Sequence, residues 1–125
     1  MPRTKSAVLT DAELPLMQIL WHKGHGTVGE VVQALPRGRA PAYNTVLTLL
    51  RILERKGYVT HQKDGRAFIY RPVIDQRRAR HRVIRHLLTR FFDGSPRLLV
   101  LNLLEHGTID RRELRRLRQL IEHSE

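Results

Sequence analysis

The 125-residue chain contains no cysteine, which excludes disulfide bonds and thiolate metal sites. Long hydrophobic runs are also missing. The longest, residues 98–101, is far too short to cross a bilayer. No segment has the pattern of a signal peptide. We therefore expect a cytoplasmic protein that does not insert into a membrane.

Acidic residues are scarce relative to basic ones, and the formal net charge is +11. Such an excess predicts a polyanionic partner, with a merely soluble basic surface as the alternative. Residues 1–72 hold 11 Lys and Arg against 5 Asp and Glu, and residues 73–125 hold 12 against 7. Net charge alone therefore does not locate a binding site.

The sequence also lacks the usual patterns of catalysis and metal binding. It has no glycine-rich phosphate loop and no serine or cysteine in the setting of a nucleophile. Among the seven histidines, His22 and His25 are separated by Gly24, a helix breaker, and His81 and His86 are too far apart to share a helical face. We expect neither an enzyme nor a metal site, and no cofactor.

Three helices are predicted in the first half of the chain. Thr10 with Glu13, and Thr27 with Glu30, have the spacing of capping boxes that begin the first two. The third runs from about residue 42 to residue 56, with apolar residues at helical spacing. After Gly57, two strand-like runs flank Asp64-Gly65, a strong hairpin signal.

Three helices followed by a hairpin are typical of a winged helix. We predict a mainly α fold with a small β-hairpin wing: a winged helix-turn-helix DNA-binding domain in residues 1–73 and a C-terminal three-helix dimerisation domain in residues 74–125. The second part is too rich in leucine to bury its apolar residues alone. A second copy would cover them, although the tail could instead pack on its own head. The predicted dimerisation residues are Val83, Leu87, Phe91, Leu98, Leu99, Leu101, Leu104, Leu117 and Ile121.

The polar side of the third helix carries groups that can read base edges in a major groove. Asn pairs with adenine, Arg with guanine, and Thr or Leu methyl groups contact the thymine methyl. The predicted base-reading residues are Asn44, Thr45, Leu47, Thr48 and Arg51, with Leu47 expected on the exposed side. The predicted backbone contacts are Thr27, Tyr43, Arg55, Lys63 and Arg66. The alternative is an ordinary solvated helix face.

Several motifs resemble the penicillinase-repressor family, also called BlaI/MecI/CopY, in the same order along the chain. They are Leu9-Thr10-Asp11-Ala12-Glu13-Leu14 with Ile19-Leu20-Trp21, Ala42-Tyr43-Asn44-Thr45-Val46-Leu47-Thr48, Leu53-Glu54-Arg55-Lys56-Gly57, Gly65-Arg66-Ala67-Phe68-Ile69-Tyr70-Arg71-Pro72 and Phe91-Phe92-Asp93-Gly94-Ser95. The resemblance implies a homodimeric bacterial repressor that binds double-stranded DNA at a palindromic operator.

The resemblance also implies a route of induction. In one branch of the family a membrane sensor protease triggers cleavage in the dimerisation domain, and Asn102-Leu103 lies in the corresponding segment. The family pattern has Phe after Asn, so an ordinary core helix is the alternative here. The copper-responsive branch needs C-terminal cysteines, which this chain lacks.

Two other functions fit parts of the sequence. A nonspecific architectural nucleic-acid-binding protein would explain the diffuse arginine content, and it predicts little sequence preference. A protein-interaction module would use the leucine-rich tail, and it predicts no salt-dependent DNA binding.

Overall fold

A computed structural model describes residues 8–36, 38 and 41–124. In these residues the elements are α1 (Leu14–Lys23), β1 (Gly26–Thr27), α2 (Val28–Ala34), α3 (Tyr43–Arg55), β2 (Val59–Asp64), β3 (Ala67–Pro72), α4 (Gln76–Phe91), α5 (Pro96–Glu105) and α6 (Arg111–His123). The mainly helical class with a hairpin wing is confirmed. The sequence did not predict β1, because a two-residue strand is too short to show an alternating pattern.

Both predicted capping boxes are present. The Thr10 N–H donates to Glu13 Oε1 at 2.8 Å, and the Glu13 N–H donates to Thr10 Oγ1 at 3.2 Å. Thr27 and Glu30 make the same reciprocal pair at 2.8 and 3.1 Å. These bonds satisfy N–H groups that a helix start would otherwise leave unpaired.

The three strands form an antiparallel sheet in the order β1-β3-β2. Asp64 pairs with Ala67, so the two-residue loop is Gly65-Arg66, one residue later than the predicted Asp64-Gly65. Gly65 has a φ of +64°, whereas Arg66 has no positive φ. A positive φ at the first loop residue alone is the pattern of a type II′ turn, and glycine adopts it without strain.

One hydrophobic core joins α1, α2, α3 and the sheet. Its fully buried members include Met17 and Leu20 of α1 and Val31 of α2. From α3 it takes Val46, Leu50 and Leu53, and from the sheet region Tyr58 and Tyr70. The indole N–H of Trp21 donates to the Ile74 carbonyl at 2.8 Å, which ties α1 to the chain that leaves the wing.

A buried ion pair connects the start of α1 with the end of α3. Lys56 Nζ lies 2.7 Å from Glu13 Oε1, with the two side chains 8% and 2% exposed. Lys56 also donates to the Val8 carbonyl at 3.2 Å. Glu13 thus serves both as a helix-capping residue and as the counter-ion of a buried lysine.

Contacts within the chain divide it into two compact units, one ending at Val83 and one beginning at Ile84. We call the described residues up to Val83 the head and residues 84–124 the tail. The head contains every buried residue described; in the tail, residues 84–124 are all at least partly exposed. The domain boundary between residues 73 and 74 stays a prediction. Within the described residues, no helix is long and apolar enough to span a membrane.

We expect Glu13→Ala to lower the free energy of unfolding of the head by about 3–5 kcal/mol, because it leaves Lys56 buried without its counter-ion. The single tryptophan lies in the head, so urea unfolding followed by its fluorescence measures this unit. Asp11→Ala is the matched control, since Asp11 is an exposed acidic residue of the same turn. It should cost less than about 1 kcal/mol. Equal losses in the two variants would contradict a stabilising role for the pair.

Candidate nucleic-acid interface

Helix α3 has one side in the core and one side exposed. Val46, Leu50 and Leu53 are fully buried. The predicted contact residues Tyr43, Asn44, Thr45, Thr48, Arg51 and Arg55 are all exposed. Among the described residues, no side chain caps the start of the helix, and its first turn contains no acid. The first-turn N–H groups therefore remain available to an anion.

Two predicted base readers need refinement. The Thr48 hydroxyl donates to the Asn44 carbonyl at 2.9 Å, so its hydrogen is already used within the helix. Its methyl group and the acceptor lone pairs of its oxygen are left for a base edge. Leu47 was expected on the exposed side, but it is half-buried and packs against the core. It lies at the edge of the exposed stripe, so it offers a partner less surface than its neighbours do.

Arg51 lies where α3 approaches the sheet. Burial raises the pKa of Tyr70 and the Glu54 carboxylate raises it further, whereas the nearby Arg51 guanidinium lowers it. The Tyr70 hydroxyl therefore stays protonated at neutral pH. Thr48, Arg51, Glu54 and Arg55 together line a shallow groove along α3.

Glu54 and His61 link α3 to the wing, a pairing that the sequence did not predict. The Glu54 carboxylate oxygens lie 2.7 and 3.0 Å from His61 Nδ1. The His61 ring is 5.4 Å from the Phe68 ring and 5.3 Å from the Tyr70 ring. Nothing in the local pattern signals this pair, because it depends on how a helix packs against a strand. No group of three potential metal ligands occurs in the described part of the chain.

The cationic residues Lys63 and Arg66 lie near the tip of the wing. Lys63, on β2, pairs with Phe68 in the register of the hairpin, and Arg66 is the second residue of the turn. Both side chains are exposed. Further from the tip, the Arg71 guanidinium donates to the Gln62 side-chain oxygen at 3.1 Å. Lys63 and Arg66 are thus brought together at one end of the hairpin.

Thr27 is less available than predicted. Its N–H donates to the Glu30 carboxylate, and this bond is the main reason that the pKa of Glu30 is held below its usual value. Its hydroxyl oxygen accepts from the Glu30 N–H, and its backbone pairs with Ile69 in the sheet. A carboxylate therefore already occupies this position, and only the hydroxyl hydrogen remains for a phosphate.

The tail presents a second candidate surface, which is apolar. Phe91, Leu120 and Ile121 are 67%, 61% and 68% exposed. Of the other predicted dimerisation residues, Leu98, Leu101 and Leu117 are exposed, whereas Leu87, Leu99 and Leu104 are half-buried. Val83, also half-buried, falls in the head. The prediction omitted four exposed residues, Ile84, Val100, Leu114 and Leu120. Leu114 could have been included, because it is three residues before Leu117 in α6.

The predicted cleavage segment lies within α5. Asn102 is exposed and Leu103 is half-buried. The Asn102 carbonyl accepts from the His106 N–H at 3.2 Å, and the Leu103 carbonyl accepts from the Thr108 N–H at 3.0 Å. Both carbonyls are therefore bonded in the folded tail, so a protease would need this turn to open first.

Comparisons with known proteins agree with the winged-helix geometry of the head. A family model described as Penicillinase repressor matches residues 9–123. The penicillinase repressor of Bacillus licheniformis is 32% identical over 114 residues, which cover 91% of this chain and 89% of that protein. The methicillin resistance regulatory protein MecI of Staphylococcus aureus (strain N315) is 22% identical over 117 residues, covering 94% and 95% respectively.

A solved structure matches the head. The solution structure of the DNA-binding domain of the repressor BlaI superposes with a TM-score of 0.51 and 34% identity, covering 59% of this chain and 90% of that one. The winged helix seen here is thus the architecture of a known DNA-binding domain. The family match spans nearly all of the sequence, including the tail. The chain therefore belongs to the penicillinase repressor family, and it is a DNA-binding transcriptional repressor with a winged helix, not an enzyme.

Proposed function

We propose that the chain acts in the cytoplasm as a homodimer on a palindromic operator, with α3 of each copy in a major groove. The observation that carries this proposal is the exposed stripe of Asn44, Thr45, Thr48 and Arg51 on a helix whose opposite side is fully buried. A buried side fixes the orientation of the helix, so the stripe is held outwards. The N-terminal residues of a recognition helix are the ones that contact base edges.

The cations around this stripe suit the DNA backbone. Arg55 lies one turn beyond Arg51, and Lys63 and Arg66 lie at the wing tip. The uncapped first turn of α3, next to the exposed Tyr43, adds N–H donors for a phosphate. Phosphate contacts fix the register of a protein on DNA, and base contacts then distinguish sequences. We assign the positioning of the protein on DNA to these phosphate contacts and sequence readout to the stripe.

We propose that a second copy of the chain covers the exposed apolar residues of the tail. A unit of about forty residues with no buried side chain cannot be stable alone. Its exposed apolar residues occur on all three of its helical segments. A symmetric dimer brings the same surface of both copies together and buries it from both sides. Two joined heads would then read half-sites that lie on the same side of the duplex.

Selection of bound sequences from random duplex DNA tests the function. We expect an enriched palindrome with fixed half-site spacing, whereas a nonspecific architectural protein would enrich no motif. Arg51→Ala should relax the preference at one position per half-site and cost about 1–3 kcal/mol on the selected sequence. Lys63→Ala is the matched control for a lost cation, and it should weaken binding to selected and random DNA alike. Equal losses on both DNAs for Arg51→Ala would contradict its role in base readout.

The dimer is tested by placing a charge on the tail. Ile121→Asp should raise the dimer dissociation constant at least about a hundredfold, because a carboxylate would be buried in the interface. Ile121 is already 68% exposed in the single chain, so folding of the monomer should change little. Gln119→Asp adds the same charge to an exposed polar position of α6 and serves as the control. Size-exclusion chromatography with light scattering gives the masses. A wild-type monomer at micromolar concentration would refute the dimer.

Repression would end when the two heads are separated, since the contacts of one half-site would be lost. Cleavage between Asn102 and Leu103 by a sensor protease is one proposed route, and a ligand or partner that parts the tails is another. Intact-mass measurement of the chain from induced cells distinguishes them. Fragments ending at Asn102 would establish cleavage there, and an intact chain throughout induction would exclude it.

A further inference from the structure

Arginines equivalent to more than half of the net charge of the chain lie in one helix, α4, which has no part in the proposed operator contacts. Helix α4 carries six arginines and no acidic residue, against a net charge of +11 for the whole chain. In its first two turns, Arg77, Arg78 and Arg80 are exposed. Ala79, between them, is buried in the core of the head, which fixes this part of the helix against the protein.

The first turns of α4 lie near the C-terminal end of α3, opposite the end that carries Asn44 and Thr45. The Arg82 guanidinium donates to the carbonyl of Lys56, the residue that ends α3, at 3.3 Å. The same group lies 5.2 Å from the centre of the Tyr58 ring. Helix α3 has 13 residues. Its two ends are therefore about 20 Å apart at 1.5 Å per residue.

The start of α4 also lies at the base of the wing. Val73, just before α4, donates its N–H to the Tyr58 carbonyl at 2.9 Å, next to the pairing of Val59 with Pro72. This is the base of the hairpin. Strand β2 has six residues, so the tip lies about 20 Å from the base. Helix α4 thus begins at the base of the wing, about 20 Å from the cations at its tip, and at the end of α3 opposite Asn44 and Thr45.

We propose that Arg77, Arg78 and Arg80 form a second DNA-binding surface, which holds the phosphates of another duplex segment while α3 and the wing occupy the first. This goes beyond operator binding, because it lets one repressor connect two segments of DNA. The chemistry fits a phosphate backbone, since a guanidinium group matches phosphate with two parallel hydrogen bonds. A duplex also offers one negative charge per about 1.7 Å, which suits a row of cations.

An anion bound on this surface would also stabilise helix α4. Arg77 and Arg80 are three residues apart, and Arg78 and Arg82 are four apart, so like charges are neighbours along the helix. Such pairs destabilise an isolated helix. The acid next to them, Asp75, lies just before α4 and accepts from the Arg78 N–H, and α4 itself contains none. A bound polyanion would remove this repulsion.

The test is capture of a second duplex by the full chain. Beads carry a duplex that the protein binds and are loaded to saturation, and a free labelled duplex of unrelated sequence is then added. The test variant is Arg77→Gln/Arg78→Gln/Arg80→Gln, since glutamine keeps the helix-forming tendency and removes the charge. The control is Arg111→Gln/Arg112→Gln/Arg115→Gln, which removes the same charge from three exposed arginines of α6.

We expect the amount of the α4 variant bound to the bead-bound duplex to be within about twofold of the wild type. It should capture at least about tenfold less of the labelled second duplex, because it lacks three phosphate contacts. The α6 control should capture as the wild type does. Unchanged capture by the α4 variant would overturn the proposal, as would an equal loss in the control. A loss of loading as large as the loss of capture would also overturn it, because α4 would then contact the first duplex. Failure of operator recognition is separate: it appears as loading without sequence preference.

Discussion

The pairing of Glu13 with Lys56 is the constraint on which the geometry of the head depends. It joins the first turn of α1 to the residue that ends α3, in a place where both side chains are largely shielded from water. The Lys56 backbone carbonyl in turn accepts from Arg82 of α4. Three helices therefore meet at one residue, and the end of α3 cannot shift without disrupting both contacts. A recognition helix needs such an anchor, because its other end must enter a groove without support from the protein.

The wing is positioned from the same helix. Glu54, one turn along α3 from Leu50, pairs with His61 of β2, and the Tyr70 hydroxyl of β3 interacts with Arg51. Both strands of the hairpin are thus connected to the polar side of α3. Such pairs at the surface contribute little to global stability. Their effect is geometric: they fix the direction of the wing relative to the stripe of proposed base readers.

Features that depend on neighbours in the sequence were predictable, whereas those that depend on tertiary packing were not. The boxes of Thr10 and Thr27, the limits of α3 and the exposed stripe all follow from spacings of three or four residues. The pair Glu13–Lys56 joins residues 43 positions apart, and no pattern indicates it. The exposure of Leu47 depended on how closely the core surrounds α3, and the hairpin loop shifted by one residue because glycine takes the first position of its turn.

If the proposed dimer forms, a tail with no buried residue makes the abundance of the protein part of its folding equilibrium. If the proposed dimer supplies the missing core, the stability of residues 84–124 rises with the concentration of the chain, as it does for any unit that folds on association. Newly made chains at low copy number would then have folded heads and loosely ordered tails, open to degradation. Repression would set in only above a threshold of expression, and dilution by cell growth would itself weaken it. The fraction of chains with a folded tail would therefore depend on the number of repressor molecules in the cell.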